Sequence, residues 1–214
     1  MNRRLTLATF NTALTILTHR DPDLGAVIAK FGKPPIWRRP RGFETLVLLI
    51  LEQQVSLASA RAAYDRLAAT AVELSPEKML MLRDEEYRAA GVSRQKTRYI
   101  HHLSECLLDQ SLRLDRLGRM GDDDVRAQLI QVKGIGAWTA DVYLLMALMR
   151  PDVWPVGDIA LQAAAHGIKG LAARPDPAEL TDIGEAWRPW RSVAARILWH
   201  HYLSTPRIRI TGGK

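Results

Sequence analysis

Leu129-Ile130-Gln131-Val132-Lys133-Gly134-Ile135-Gly136-Ala137-Trp138-Thr139-Ala140-Asp141-Val142-Tyr143-Leu144-Leu145 is the stretch on which the reading of this chain turns. An amphipathic helix enters it from Asp122-Asp123-Asp124, an acidic first turn that suits the helix dipole. Two glycines then flank one apolar residue, and a second apolar helix follows at once. A Gly-x-Gly of this kind joins two helices through a very tight turn. Glycine admits positive φ there, and its missing Cβ lets another backbone come close. The second helix would present the N–H groups of Gly136 to Trp138, and with the dipole these suit one phosphate. By spacing alone the segment reads equally as a plain αα-hairpin with a glycine cap.

Working outward, helical periodicity dominates. Leu46, Leu49, Ile50 and Gln53 share a face with Leu57 and Ala60, at the spacing of an amphipathic helix. The expected helices are Leu5 to Thr18, Pro22 to Phe31, Phe43 to Thr70, Pro76 to Leu82, Asp84 to Ala90 and Arg94 to Asp109. They continue with Asp122 to Ile130, Ala137 to Met149, Ile159 to His166, Pro177 to Ile183 and Pro189 to Ser204. Strand-like alternation is hardly found, so the fold class expected is all-α. Lys33 to Gly42 and Arg150 to Asp158, rich in Pro, Arg and Gly, read as connectors. They divide the chain into 1–41, 42–150 and 151–214, the N-terminal helices being expected to pack with the C-terminal block. Pro206 to Lys214 is expected to fray.

The composition is that of a globular protein: 214 residues, 47% hydrophobic and 25% charged. One cysteine, Cys106, excludes an internal disulfide, a four-cysteine zinc site and an iron–sulfur cluster. Thirty Lys and Arg against 23 Asp and Glu give a net charge of +7, which raises the expectation of a polyanionic partner. The longest apolar run, Thr45 to Leu51, is far short of the ~20 residues of a membrane span. No secretory signal is legible, so a cytoplasmic protein without membrane attachment is the default expectation.

Asp158, in Trp154-Pro155-Val156-Gly157-Asp158-Ile159, reads by itself as the N-cap of the next helix. Six tryptophans against three phenylalanines is an unusual balance, although an aromatic at helical spacing is ordinarily core. His19, His101, His102, His166, His200 and His201 show no metal-site spacing, and Cys106 reads as a core residue.

Three blocks in order resemble the helix-hairpin-helix DNA glycosylase superfamily, and within it most of all the bacterial 3-methyladenine DNA glycosylase II group. They are Phe43 to Leu67 with Glu52-Gln53-Gln54, the hairpin with its aspartate loop from Leu129 to Leu161, and Glu185 to Trp199. The resemblance implies two helical subdomains flanking a DNA-binding cleft, with Trp138, Asp158 and Trp199 around its mouth. It makes Asp158 the catalytic residue, an ionised carboxylate beside a sugar that gains oxocarbenium character. Asp152, Asp141 and Asp176 do not match the motif. Bifunctional relatives carry a Schiff-base lysine two residues past the second hairpin glycine, where this chain has Trp138. A monofunctional enzyme without lyase activity is therefore expected, acting in base excision repair on alkylated purines.

The resemblance further assigns Trp138 and Trp199 to the base pocket, where an indole face attracts a cationic alkylpurine by about 0.5–2 kcal/mol. A third aromatic position aligns with Val142, with Tyr143 beside it as the pocket candidate. Gln54, with Gln53 adjacent, falls at the wedge that fills the gap left by a flipped base, where the related enzyme is apolar. Lys133, the N–H groups of Gly134, Gly136 and Trp138, and Arg191 are the candidate phosphate contacts. Arg38, Arg39 and Arg41 are candidates for nonspecific attraction. No cofactor is required. Family members often hold an alkali ion, sodium or potassium, on hairpin carbonyls, here near Val132 and Ile135. The expected partner is double-stranded DNA with damaged bases, met by a monomer, at the nucleoid if the source is bacterial. A non-enzymatic hairpin DNA-binding module and a glycosylase for a deaminated base remain the alternatives.

Overall fold

The computed structural model describes residues 4–205, so the expected tail, Pro206 to Lys214, lies outside the described residues. Thirteen helices and no strand occur among them: α1 (Leu7–Arg20), α2 (Pro22–Phe31), α3 (Phe43–Glu52), α4 (Leu57–Ala71), α5 (Pro76–Met81), α6 (Asp84–Ala89), α7 (Arg94–Leu108), α8 (Leu114–Leu117), α9 (Asp122–Ile130), α10 (Ala137–Met146), α11 (Ile159–Lys169), α12 (Pro177–Glu185) and α13 (Arg191–Ser204). No helix among them is long and apolar enough to cross a membrane.

The chain forms two compact units. The first runs from Arg38 to Arg150 and includes Arg4; the second joins Leu5–Trp37 to residues 151–205. In the first, α3 is the central helix and packs against α4, α7 and α10. Thr45, Leu46, Val47, Leu49, Ile50 and Leu51 are all buried, as a helix apolar all round requires. In the second, α13 takes that place against α1, α2 and α11, with every residue from Ser192 to Trp199 buried.

The single helix expected from Phe43 to Thr70 is broken at Gln53–Ser56. Gln53 is extended, Gln54 is left-handed at φ 58°, and the Ser56 hydroxyl accepts the Ser59 N–H at 3.1 Å to start α4. Lys96 fixes the break from outside: its ammonium donates to the carbonyls of Leu51 and Gln53, each at 2.8 Å. Burial pushes the Lys96 pKa down from its usual value. The hydrophobic pattern runs through the break unchanged, so periodicity alone does not reveal it. The one-turn α8 is too short to leave a periodic signal at all.

Candidate active site

The hairpin is built in the first unit. After α9 the Val132 N–H donates to the Leu129 carbonyl and the Ile135 N–H to the Val132 carbonyl, at 3.1 and 2.9 Å. Gly134 has φ 89°, and a Cβ there would overlap the Tyr99 ring of α7. Glycine is thus demanded twice, by conformation and by space. Gly136 differs: φ is −93°, extended, and a Cβ would meet nothing within 4 Å. It is the N-cap of α10 and gives no side-chain cap, which leaves the amide end of that helix uncovered by its own sequence.

Three side chains from elsewhere hold the turn. The Gln53 amide donates to the Gly134 carbonyl at 2.8 Å and to the Thr139 hydroxyl at 3.0 Å. His102 accepts the Lys133 backbone N–H on Nδ1 at 3.0 Å. Tyr99 lies against Gly134, its hydroxyl held by Gln95 at 2.6 Å. Gln53 is therefore a buttress of the hairpin, not a wedge: its amide is committed inside the unit. Gln54 is exposed on a left-handed residue and remains the wedge candidate. The Lys133 side chain is exposed, while its N–H is taken by His102.

Trp138 is half-buried in the first turn of α10. Tyr143 does not join it as a pocket residue. It has no exposed surface, and its hydroxyl accepts the Gly42 N–H at 3.1 Å, so it is core. Burial raises its pKa. Val142 is buried as well. Cys106 is half-buried rather than core, 3.7 Å from His102 Nδ1.

In the second unit Asp158 is the N-cap of α11. One carboxylate oxygen accepts the Leu161 N–H at 2.9 Å and the Trp199 indole N–H at 3.2 Å. Asp158 is 9% and Trp199 8% exposed. The Asp158 N–H returns to the Pro155 carbonyl at 3.0 Å, and Gln162 donates to the Val156 carbonyl at 3.0 Å. Trp154 anchors the start of the loop, donating to the Leu180 carbonyl at 2.8 Å and packing edge-on against Trp187 with ring centres 5.3 Å apart. The Leu161 amide and the Trp199 indole thus hold the carboxylate in place at the N-terminus of α11. Trp199 thus has a contact that sequence reasoning missed. It orients the carboxylate, and its N–H edge is spent on doing so.

Arg191 cannot be the phosphate contact proposed for it. Its guanidinium is shared between Asp152, at 2.8 and 3.1 Å, and Glu185, at 3.3 Å, so its charge is compensated inside the unit. The remaining acids also have structural work. Asp141 pairs with Arg126 at 2.6 Å, and Asp176 caps α12. No cluster of three or more His, Cys, Asp or Glu suited to a metal occurs among the described residues. Trp138 and Asp158 belong to different units, and each is placed here by its own unit alone.

Residues 47–189 match the family model described as HhH-GPD superfamily base excision DNA repair protein. Over 196 residues the chain is 37% identical to a Mycobacterium tuberculosis protein named "Probable bifunctional transcriptional activator/DNA repair enzyme AlkA", covering 84% of this chain and 37% of that protein. It is 25% identical to the DNA-3-methyladenine glycosylase of Bacillus subtilis over 84% of this chain and 63% of that one. The chain therefore spans between about a third and two thirds of the length of these relatives. Among solved structures, the DNA-3-methyladenine glycosidase of Bacillus halodurans superposes with a TM-score of 0.74 at 32% identity, covering 90% of this chain and 89% of that one. The Schizosaccharomyces pombe Mag1 structure with abasic DNA gives 0.79 at 24% identity, a likeness of fold.

Proposed function

We infer that this chain, which belongs to the HhH-GPD superfamily of base excision DNA repair proteins, is a monofunctional DNA glycosylase that removes alkylated purines, of the 3-methyladenine and 7-methylguanine type. The observation that carries the reading is the Asp158 carboxylate, fixed by the Leu161 amide and the Trp199 indole at the N-terminus of α11. Such an anion stabilises the oxocarbenium-like sugar more than the ground state.

In the reaction the C1′–N bond breaks and its electron pair leaves with the base. An N3- or N7-alkylated purine starts with a formal positive charge, so it departs neutral without a general acid. Water adds its oxygen to C1′ and yields a proton, for which Asp158 is the base at hand. Indole at position 138 cannot form an imine, so the product is an intact abasic strand. Trp138 and Trp199 are assigned to the cationic base, Gln54 to the gap it leaves, and Lys133 with the hairpin amides of Gly134, Gly136 and Trp138 to a phosphate of duplex DNA. The chain then works where the chromosome is, in the cytoplasm, and at the nucleoid if the source is bacterial.

An alkali ion at the hairpin is part of the same reading. Val132 and Ile135 would supply neutral carbonyl oxygens; the Val132 carbonyl already accepts the Ile135 N–H but keeps a second lone pair. Oxygens without a carboxylate among them fit a weakly held monovalent cation, which would stiffen the turn. The test of the function is base release from methylated duplex DNA. We expect free 3-methyladenine and 7-methylguanine, with strands that break only after alkali. No release from any alkylated duplex would remove the reading.

A further inference from the structure

The first unit carries a second cationic surface that the catalytic reading does not use. A groove of about 550 Å³ is lined by Arg113, Arg116 and Arg119 together with Gln110, Ser111 and Gln128. The three arginines recur every third residue, Arg113 at the N-cap of α8, Arg116 within it and Arg119 in the turn after it. That is a row of charges, not a point, and Met120 shares the groove with it.

Most neighbouring acids do not cancel the row. Asp122 is held by Arg150 at 3.1 Å and Asp123 by Arg126 at 2.7 Å, whereas Asp115 holds Arg113 at 3.1 Å and compensates that one member. Arg116 and Arg119 are exposed and have no ion-pair partner among the described residues. Arg41 extends the row. Its guanidinium sits where a Cβ on Gly118 would touch it, at 2.7 Å. Arg38 and Arg41 are exposed, and both help to push the Arg4 guanidinium below its usual value, after the effect of its burial. Arg41 acts likewise on Arg150, again after burial.

We propose that this groove, through Arg116, Arg119 and Arg41, binds the sugar–phosphate backbone of duplex DNA at a place separate from the hairpin turn. The proposal rests on the reading of the chain as a DNA glycosylase and extends its footprint. Several guanidinium groups along one groove match a polymer of evenly spaced anions better than a single small anion, because each added phosphate releases further counterions. It also gives a use to Arg38 and Arg41, whereas Arg39 between them is committed to Glu52 at 2.9 and 2.7 Å.

The experiment compares Arg116→Glu/Arg119→Glu with the wild type and with a control of equal charge change, Lys78→Glu/Arg88→Glu, on α5 and α6. The probe is an undamaged 30-base-pair duplex, titrated at several salt concentrations. Each lost phosphate contact lowers the slope of log affinity against log salt by about 0.9. The groove variant is expected to lose roughly one to two units of slope, and the control to keep the wild-type slope. Equal slopes in all three proteins would overturn the proposal and turn attention to an acidic protein partner. Base release at low salt and saturating methylated DNA is measured alongside. If it persists while the slope is unchanged, only the groove falls. If the wild type releases no base while the groove variant still loses slope, only the catalytic reading falls.

Discussion

Replacing Gly134 by alanine should injure the protein, whereas the same change at Gly136 should not, although the two belong to one Gly-x-Gly. At Gly134 the backbone is at φ 89°, and a Cβ would overlap the Tyr99 ring. Left-handed backbone costs alanine roughly 1–2 kcal/mol. Forcing a methyl against a packed ring adds roughly 1–3 kcal/mol. The sum, about 2–5 kcal/mol, would lower the melting temperature by about 4 °C at the least for a chain of this size. At Gly136 the backbone is extended and the space open, so the gain from a stiffer unfolded chain offsets alanine's poorer N-cap, and Gly136→Ala should change stability by less than about 1 kcal/mol. Its loss should fall on DNA affinity, since the methyl would stand at the uncovered end of α10. Thermal and urea unfolding followed by circular dichroism decide the first part. A partial rescue sharpens it: in a Tyr99→Ala background the Gly134→Ala cost should shrink to its conformational share, about 1–2 kcal/mol. Equal stability losses at the two glycines, or a Gly134→Ala protein within 0.5 kcal/mol of wild type, would refute the reasoning.

Other expectations follow from single contacts. Gln53→Leu leaves the Gly134 carbonyl and the Thr139 hydroxyl without their donor. It should cost about 1–3 kcal/mol in unfolding experiments and weaken duplex binding. Trp199→Phe keeps a ring but removes the N–H held by Asp158. Single-turnover base release should slow by about tenfold, and the fold should lose about 1–3 kcal/mol, because the buried carboxylate gives up a donor. Burial opposes ionisation of Asp21, but hydrogen bonds from Lys169 and Trp187, with the Lys169 charge, outweigh it and hold the carboxyl below the usual range. A depressed carboxyl pKa stabilises the fold above the unfolded value near ~3.9 and loses that effect as pH falls through the folded one. Asp21→Asn should therefore be less stable than wild type at pH 7, and the gap should close below about pH 4.

What the sequence disclosed and what it withheld divide along physical lines. Helix positions, the turn at Gly134 and the cap at Asp158 follow from local rules of periodicity, φ and capping, and all three are legible. The buttresses are not. Gln53 meets Gly134 across 81 positions and Lys96 meets Gln53 across 43, so only the folded unit brings them together. The same holds for His102, which shows no metal spacing and yet fixes the hairpin through the Lys133 amide. Arg191 looked available because its partners, Asp152 and Glu185, are contributed by other segments. Tyr143 and its neighbour Val142 are both core because α10 is buried from Thr139 to Leu145, and an aromatic at helical spacing does not by itself tell core from pocket. The break after Glu52 was invisible because its cause is a left-handed Gln54 inside an otherwise continuous apolar pattern.

Asp158→Asn gives the most direct measurement. Asparagine is as good an N-cap as aspartate, so α11 should keep its start and the protein its stability. The variant should bind methylated and abasic-site duplexes nearly as tightly as wild type. Under single-turnover conditions it should release 7-methylguanine slower by on the order of a hundredfold or more, the scale of one lost electrostatic contact to a transition state. Base release at the wild-type rate from a fully folded Asp158→Asn protein would contradict the assignment of that carboxylate to the chemistry.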